Sequence, residues 1–80
     1  MYYVYRIQSV SFTERFYIGF TADLRKRIEA HNAGKNTSTA PFRPWRLMFY
    51  AAFDEEQRAR DFELYLKTGS GHAFANKRLW

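Results

Sequence analysis

At 80 residues with no cysteine, the chain allows one domain, no disulfide staple and no zinc site built on thiolates. No apolar run approaches the ~20 residues that span a bilayer and the N-terminus lacks a signal-peptide cleavage pattern, so a reducing cytoplasm and no membrane partner are expected. Thirteen Lys and Arg against eight Asp and Glu leave a net charge of +5, which favours a polyanionic partner as well as solubility.

A domain of this size buries only about 60% of its unfolded surface, so it needs large core residues, and aromatics at 20% of the chain supply them. Tyr2 to Ile7 is rich in β-branched and aromatic residues and predicts a first strand with Tyr3, Tyr5 and Ile7 on one face. Gln8 to Glu14 is polar and of hairpin length. Arg15 to Phe20 is then expected to pair back antiparallel, with Tyr17 and Gly19 on one face and Phe16, Ile18 and Phe20 on the other. A glycine inside a strand pattern marks a bulge or a close approach to other atoms. Thr21 is the expected N-cap of a helix from Ala22 to Asn32, Asp23 suits its dipole, and Ala33-Gly34 ends it. Leu24 and Ile28 set the inward stripe. Residues three and four apart share a helix face, so Arg27 and His31 join that stripe while Arg25, Lys26 and Glu29 look outward.

Lys35 to Arg43 lacks periodicity and reads as a loop, either a plain surface loop or one whose Lys35 and hydroxyls touch phosphates. After Pro44, Trp45 to Phe53 is an apolar and aromatic run apart from Arg46, which predicts burial on both faces and hence the central strand. Asp54 is expected to cap a second helix, with Gln57 in the capping-box position. Its inward stripe is Ala59, Phe62 and Leu66, and Glu63 falls on the same stripe. Gly69-Ser70-Gly71 is expected to break this helix, leaving His72 to Leu79 as a short third one. The element order is β-β-α-β-α-α, with no repeat, linker or second domain.

Burying a charge costs several kcal/mol unless it is paired or bound to metal. Arg27, His31 and Glu63 on core-facing helix positions therefore imply an internal Arg27–Glu63 bridge, side chains reaching out at the rim, or a polar site lined by both helices. His31 alone reads as a cap for helix carbonyls, and Tyr3, Tyr5 and Tyr17 as core aromatics. Other chemistry is excluded: the chain has no phosphate-binding P-loop, no dinucleotide fingerprint, no zinc-spaced Cys or His cluster and no convincing nucleophilic triad.

Four short motifs in order carry a resemblance: Tyr3-Val4-Tyr5, Tyr17-Ile18-Gly19, Arg27 ten residues past Tyr17, and Glu63 within Ala-x-x-x-Glu-x-x-x-Lys. Over Tyr3 to Leu79 the chain resembles the GIY-YIG nuclease superfamily, and among its members the small single-domain proteins similar to the C component of excinuclease ABC. The resemblance implies an α+β sandwich, a three-stranded antiparallel sheet flanked by about three helices, and metal-dependent hydrolysis of DNA phosphodiesters in repair or maintenance. It implies that Tyr5 and Tyr17 are the motif tyrosines, Arg27 the phosphate-binding arginine and Glu63 the ligand of one Mg²⁺ or Mn²⁺ ion. His31 matches a position that is often His or Tyr.

Those residue types suit the reaction. A guanidinium offers a fixed fork of donors to a pentacovalent phosphate, and a tyrosine, Tyr5 or Tyr17, serves as general base only if its pKa is lowered. Arg25, Lys35, Asn36, Lys67 and Asn76 are further candidates for contact with nucleic acid. So small a domain has little surface for base readout, so specificity is expected to come from DNA structure, a protein partner or a dimer. The alternative reading is a basic nucleic-acid-binding module that keeps the fold without useful turnover. Three positions depart from the family pattern: Tyr3 replaces the first-motif glycine, Phe20 stands where many members carry Lys or Arg, and Asn76 lies near the late asparagine of some members but out of register with it.

Overall fold

A computed structural model describes all 80 residues, Met1 to Trp80. The elements are β1 (Tyr2–Ser9), β2 (Phe16–Thr21), α1 (Leu24–Asn32), a 3-10 turn (Ala40–Phe42), β3 (Trp45–Phe53), α2 (Glu56–Leu66) and α3 (Gly69–Arg78). The order β-β-α-β-α-α and the three-stranded antiparallel sheet follow the expectation. No helix is long and apolar enough to cross a membrane.

The alternation in β1 decides the layering. Tyr5 lies opposite Gly19 on β2 and Tyr50 on β3, and Ile7 lies opposite Tyr17, so these residues share one sheet face. On that face Tyr5, Ile7 and Trp45 form a core with Tyr17, Phe42 and the α1 residues Leu24 and Ile28. On the opposite face Val4 packs with Ala59 and Leu66 of α2 and Ala75 of α3, enclosed by Ile18, Phe20, Phe53 and Phe62. Helices therefore cover both faces of the sheet.

Three expectations are corrected. The sheet order is β2-β1-β3, so β1 is the central strand and β3 an edge. The apolar run of β3, interrupted only by Arg46, does not reflect burial on both faces: Leu47, Met48 and Tyr50 are 38%, 43% and 54% exposed. Apolar content alone could not tell which strand has two partners, whereas β1 buries Val4, Tyr5, Ile7 and Ser9 completely. Second, the caps shift. Asp23 rather than Thr21 caps α1, accepting from the Lys26 N–H at 3.1 Å, and Thr21 accepts from the Asp23 N–H just before it. At α2 the cap is Glu55, without a side-chain bond, and Gln57 donates forward to Asp61 instead of closing a capping box. Third, Gly69-Ser70-Gly71 forms the first turn of α3, because Thr68 accepts from the Gly71 N–H at 3.1 Å and starts the helix there.

Gly71 has a packing reason to be glycine: a Cβ there would fall on the Tyr65 carbonyl, which belongs to backbone and cannot move aside, whereas a Cβ at Gly69 meets nothing. In urea unfolding we expect Gly71→Ala to lose about 1–3 kcal/mol, the usual cost of forcing atoms into a packed site. Gly69→Ala should be neutral or gain up to about 1 kcal/mol through helix propensity and a stiffer unfolded chain. Equal effects of the two substitutions would contradict this account.

Candidate active site

The centre of the site is the hydroxyl of Tyr5, fully buried on the central strand. It has room because residue 19, directly opposite on β2, is glycine: a Cβ at that position would overlap the Tyr5 oxygen and ring. The expected close approach at Gly19 is thus to Tyr5 itself. From α1, the Arg27 Nε–H donates to Tyr5 Oη at 3.1 Å. Arginine has donors only, so the Tyr5 proton is left to point at His31 Nε2, 2.8 Å away. A neutral imidazole with an accepting Nε2 carries its proton on Nδ1, which donates to Thr39 Oγ1 at 2.8 Å. The Thr39 hydroxyl in turn meets the Asn36 carbonyl at 3.4 Å. The chain runs in one direction from a guanidinium to a backbone carbonyl, with every buried side-chain polar atom partnered.

The electrostatics agree with this direction. Burial, and then the Arg27 charge, push the His31 pKa down from 6.5 to about 4, which keeps the ring neutral. Burial raises the Tyr5 pKa above the ordinary tyrosine value, an effect only partly offset by the hydrogen bond and charge of Arg27, so Tyr5 remains a phenol. The hydrogen bond to Tyr5 holds Arg27 more firmly protonated than an ordinary arginine, against the opposing effect of burial, and neighbouring Tyr17 adds to it. Tyr17 is partly exposed, its ring 5.0 Å from that of His31 and 6.4 Å from that of Tyr5.

Glu63 lies in the other layer. It sits on α2, across the sheet from α1, and its negative charge is among the lesser influences raising the Tyr5 pKa. Its side chain is only 18% exposed, and Oε2 pairs with Lys67 Nζ at 3.0 Å. The internal Arg27–Glu63 bridge that the helix spacing allows does not form, because Arg27 is engaged by Tyr5 and Glu63 by Lys67. Nor does His31 cap helix carbonyls.

Glu63 Oε1 has no hydrogen-bond partner in the protein, and no group of three or more His, Cys, Asp or Glu gathers anywhere in the fold. One carboxylate does not make a zinc site. It does suit Mg²⁺ or Mn²⁺, hard ions usually held by one or two carboxylates with waters and substrate phosphates filling the remaining positions.

The other candidates are scattered. Arg25 is exposed on α1, and Lys35 flanks a shallow depression with Lys26 and Glu29 beyond that helix. Asn36 turns its side-chain oxygen to the Ser38 N–H at 2.8 Å, which shapes the loop. Asn76 lies between His72 and Trp80 on α3. Lys67 and Tyr17 border one cleft of about 310 Å³ with Arg6, Phe16, His72 and Trp80. Sequence reasoning missed Thr39, since a loop hydroxyl gives no periodic signal. It also missed Arg6, although alternation in β1 places it on the face opposite Tyr5.

A three-stranded antiparallel sheet covered by helices on both faces, in the order β-β-α-β-α-α, is the architecture of a class of nuclease domain. Residues 1–77 match the family model of the GIY-YIG catalytic domain, and the chain belongs to the GIY-YIG family. This is a nuclease family whose substrate is DNA and whose members generally use divalent metal ions. A UPF0213 protein of Streptococcus pyogenes serotype M3 is 38% identical over 66 residues, which cover 81% of this chain and 70% of that protein. A UPF0213 protein of serotype M5 is 36% identical with the same coverage.

The buried neutral histidine has a consequence for stability. The unfolded chain takes up the His31 proton near pH 6.5 and the folded chain only near pH 4, so stability is full above pH 6.5, falls as pH drops through that window, and levels off below it. The loss is on the order of 3 kcal/mol. Thermal melts of wild type and His31→Gln between pH 7.5 and 4 should show a steeper fall for wild type; parallel curves would mean that His31 does not titrate this way.

Proposed function

We propose that residues 1–80 act as one cytoplasmic nuclease domain, a metal-dependent endonuclease that hydrolyses DNA phosphodiester bonds in repair or maintenance. The observation that carries this reading is the bond from Arg27 Nε to a fully buried Tyr5 hydroxyl. It fixes the guanidinium by its inner nitrogen, so that its terminal nitrogens, with Tyr17 beside them, are the donors offered to a phosphate. A fork held in place before substrate arrives stabilises charge that develops in the transition state without reorganising at that moment.

The two tyrosines divide the work. Tyr5, with no exposed surface and a raised pKa, is a positioning residue that holds Arg27 and is itself held by neutral His31. Tyr17, partly exposed at the cleft and beside Arg27, is the tyrosine that meets the attacking water and, in its phenolate form, takes up its proton to become the neutral phenol. The water oxygen bonds to phosphorus as the bond to the 3′ oxygen breaks. Arg27 neutralises the non-bridging oxygens in between. Glu63 would hold the divalent ion, whose charge polarises the phosphoryl oxygen and the departing 3′ oxygen. One observation favours the alternative, a DNA-binding module without turnover: Lys67 already neutralises Glu63.

The test is nicking of supercoiled plasmid and of branched DNA with Mg²⁺, with Mn²⁺ and with EDTA. Wild type should nick only with metal. Arg27→Ala and Tyr17→Phe should each lose about 10²–10³ in kcat, the scale of a lost transition-state donor, and Glu63→Gln should be as damaging. Tyr5→Phe should lose about tenfold in kcat at unchanged KM, on the premise that a loosened Arg27 acts in the transition state and not in binding. A folded wild type that binds DNA but nicks no substrate with either ion would move the assignment to the binding module.

A further inference from the structure

The cleft beside Tyr17 is lined in a way the hydrolytic chemistry does not require. The Arg6 guanidinium lies between two aromatic rings, 3.7 Å from the centroid of Phe16 and 4.3 Å from that of Trp80. It makes no ion pair and, unlike most arginines of this fold, no hydrogen bond within the protein, so the edge of the fork is unused. Burial lowers its pKa from the ordinary arginine value, which means that its charge is incompletely solvated and gains from an anion.

The walls of the stack are held from behind. Trp80 Nε1 donates to Asn76 Oδ1 at 3.1 Å, and because an indole N–H can only donate, the Asn76 amide nitrogen must be the atom facing His72 Nε2, also at 3.1 Å. Trp80 further packs edge-on against Phe49, at 5.3 Å between centroids. At the other end of the stack Phe16 is 43% exposed, a large fraction for a phenylalanine on a strand. A cleft of about 310 Å³ is at the lower end of the ligand-pocket range and admits one nucleotide rather than a duplex. Cations with aromatic faces form the pattern that binds unpaired strands, with bases on the rings and phosphates on the cations. The cleft adjoins the candidate active site, since Tyr17 borders both and Lys67 borders the cleft while pairing with Glu63.

We propose that this cleft binds an unpaired nucleotide next to the cleaved phosphate, its base against the exposed Phe16 end of the Phe16–Arg6–Trp80 stack and its phosphate on Arg6 and Lys67. The inference rests on the nuclease reading and narrows its substrate to DNA with a single-stranded segment at the site, such as a flap, gap or splayed junction.

Binding is measured apart from cleavage, with EDTA present, by fluorescence anisotropy of a labelled single-stranded 12-mer, a flapped duplex and a continuous duplex. Wild type should bind the first two about tenfold more tightly than the third. Phe16→Ala and Arg6→Gln should remove that preference by weakening only the single-stranded and flapped ligands about tenfold, the scale of one lost base stack. Phe74→Ala, an equally exposed aromatic outside the cleft, should change nothing. Circular-dichroism melts establish that each variant is folded, and Phe16, already half in solvent, makes the milder of the two cleft substitutions. Equal binding of all three ligands by wild type, or an unchanged preference in folded Phe16→Ala and Arg6→Gln, overturns the proposal. Metal-dependent nicking alongside either result would leave the nuclease reading standing, whereas a preference that maps to the cleft without nicking would support the cleft and remove the nuclease.

Discussion

The hydroxyl of Tyr5 is the constraint around which this fold is arranged. A buried phenol without partners costs about 1–3 kcal/mol, and here it is satisfied from two directions, by Arg27 at 3.1 Å and His31 at 2.8 Å. Both partners lie on α1, one turn apart, so the pair fixes how that helix is rotated against the sheet. Gly19 then has to be small, because its neighbour across the strand pair fills the space its side chain would take. His31 has to be neutral, because its Nε2 accepts, and that requirement passes through Nδ1 to Thr39 and anchors the loop after α1. One oxygen atom thereby relates two strands, a helix and a loop.

The remainder of the site depends on β2 being an edge. Tyr5, Arg27 and His31 lie in the layer between the sheet and α1, while Glu63 and Lys67 belong to the layer on the opposite face. A wide sheet would separate the two. A three-stranded sheet in the order β2-β1-β3 ends immediately beyond Tyr17, and at that border Tyr17 and Lys67 line the same cleft. The small size of the domain is therefore part of how the site is made: the layers meet around an edge only one strand from the centre.

Much of this is legible in the chain. Period-two alternation in Tyr2–Ile7 and the 24, 27, 28, 31 spacing on α1 place Tyr5, Arg27 and His31 correctly on inward faces, because side-chain direction follows directly from helix and strand geometry. Glu63 likewise stands out as a carboxylate out of place. Pairing is less legible. Whether Trp45–Phe53 lies in the middle or at the rim depends on which edge of the first hairpin it joins, and apolar content does not encode that. The choice of partner is also hidden: the pattern allows Arg27 to reach Glu63, and only the register of Tyr5 against Gly19 shows that a tyrosine hydroxyl stands closer. Arg6 is invisible for a related reason, since alternation places it on a face but says nothing of the Phe16 and Trp80 rings that enclose it.

The polar contacts of the two layers differ in how easily they are given up, and that difference fits what each has to do. Tyr5, His31 and Thr39 are buried, and removing any one of them leaves its partner without a hydrogen bond away from water. The Glu63–Lys67 pair is an i,i+4 contact whose lysine is 51% exposed though its glutamate is only 18% exposed, so it is open to solvent on the lysine side. In the proposed function a phosphate arriving at Lys67, or a divalent cation at Glu63, would displace the partner, and the freed charge would then favour the other ligand. The rigid layer thus holds the guanidinium in a fixed geometry, while the exchangeable pair at the sheet edge is the part of the molecule free to change partners when a charged ligand binds.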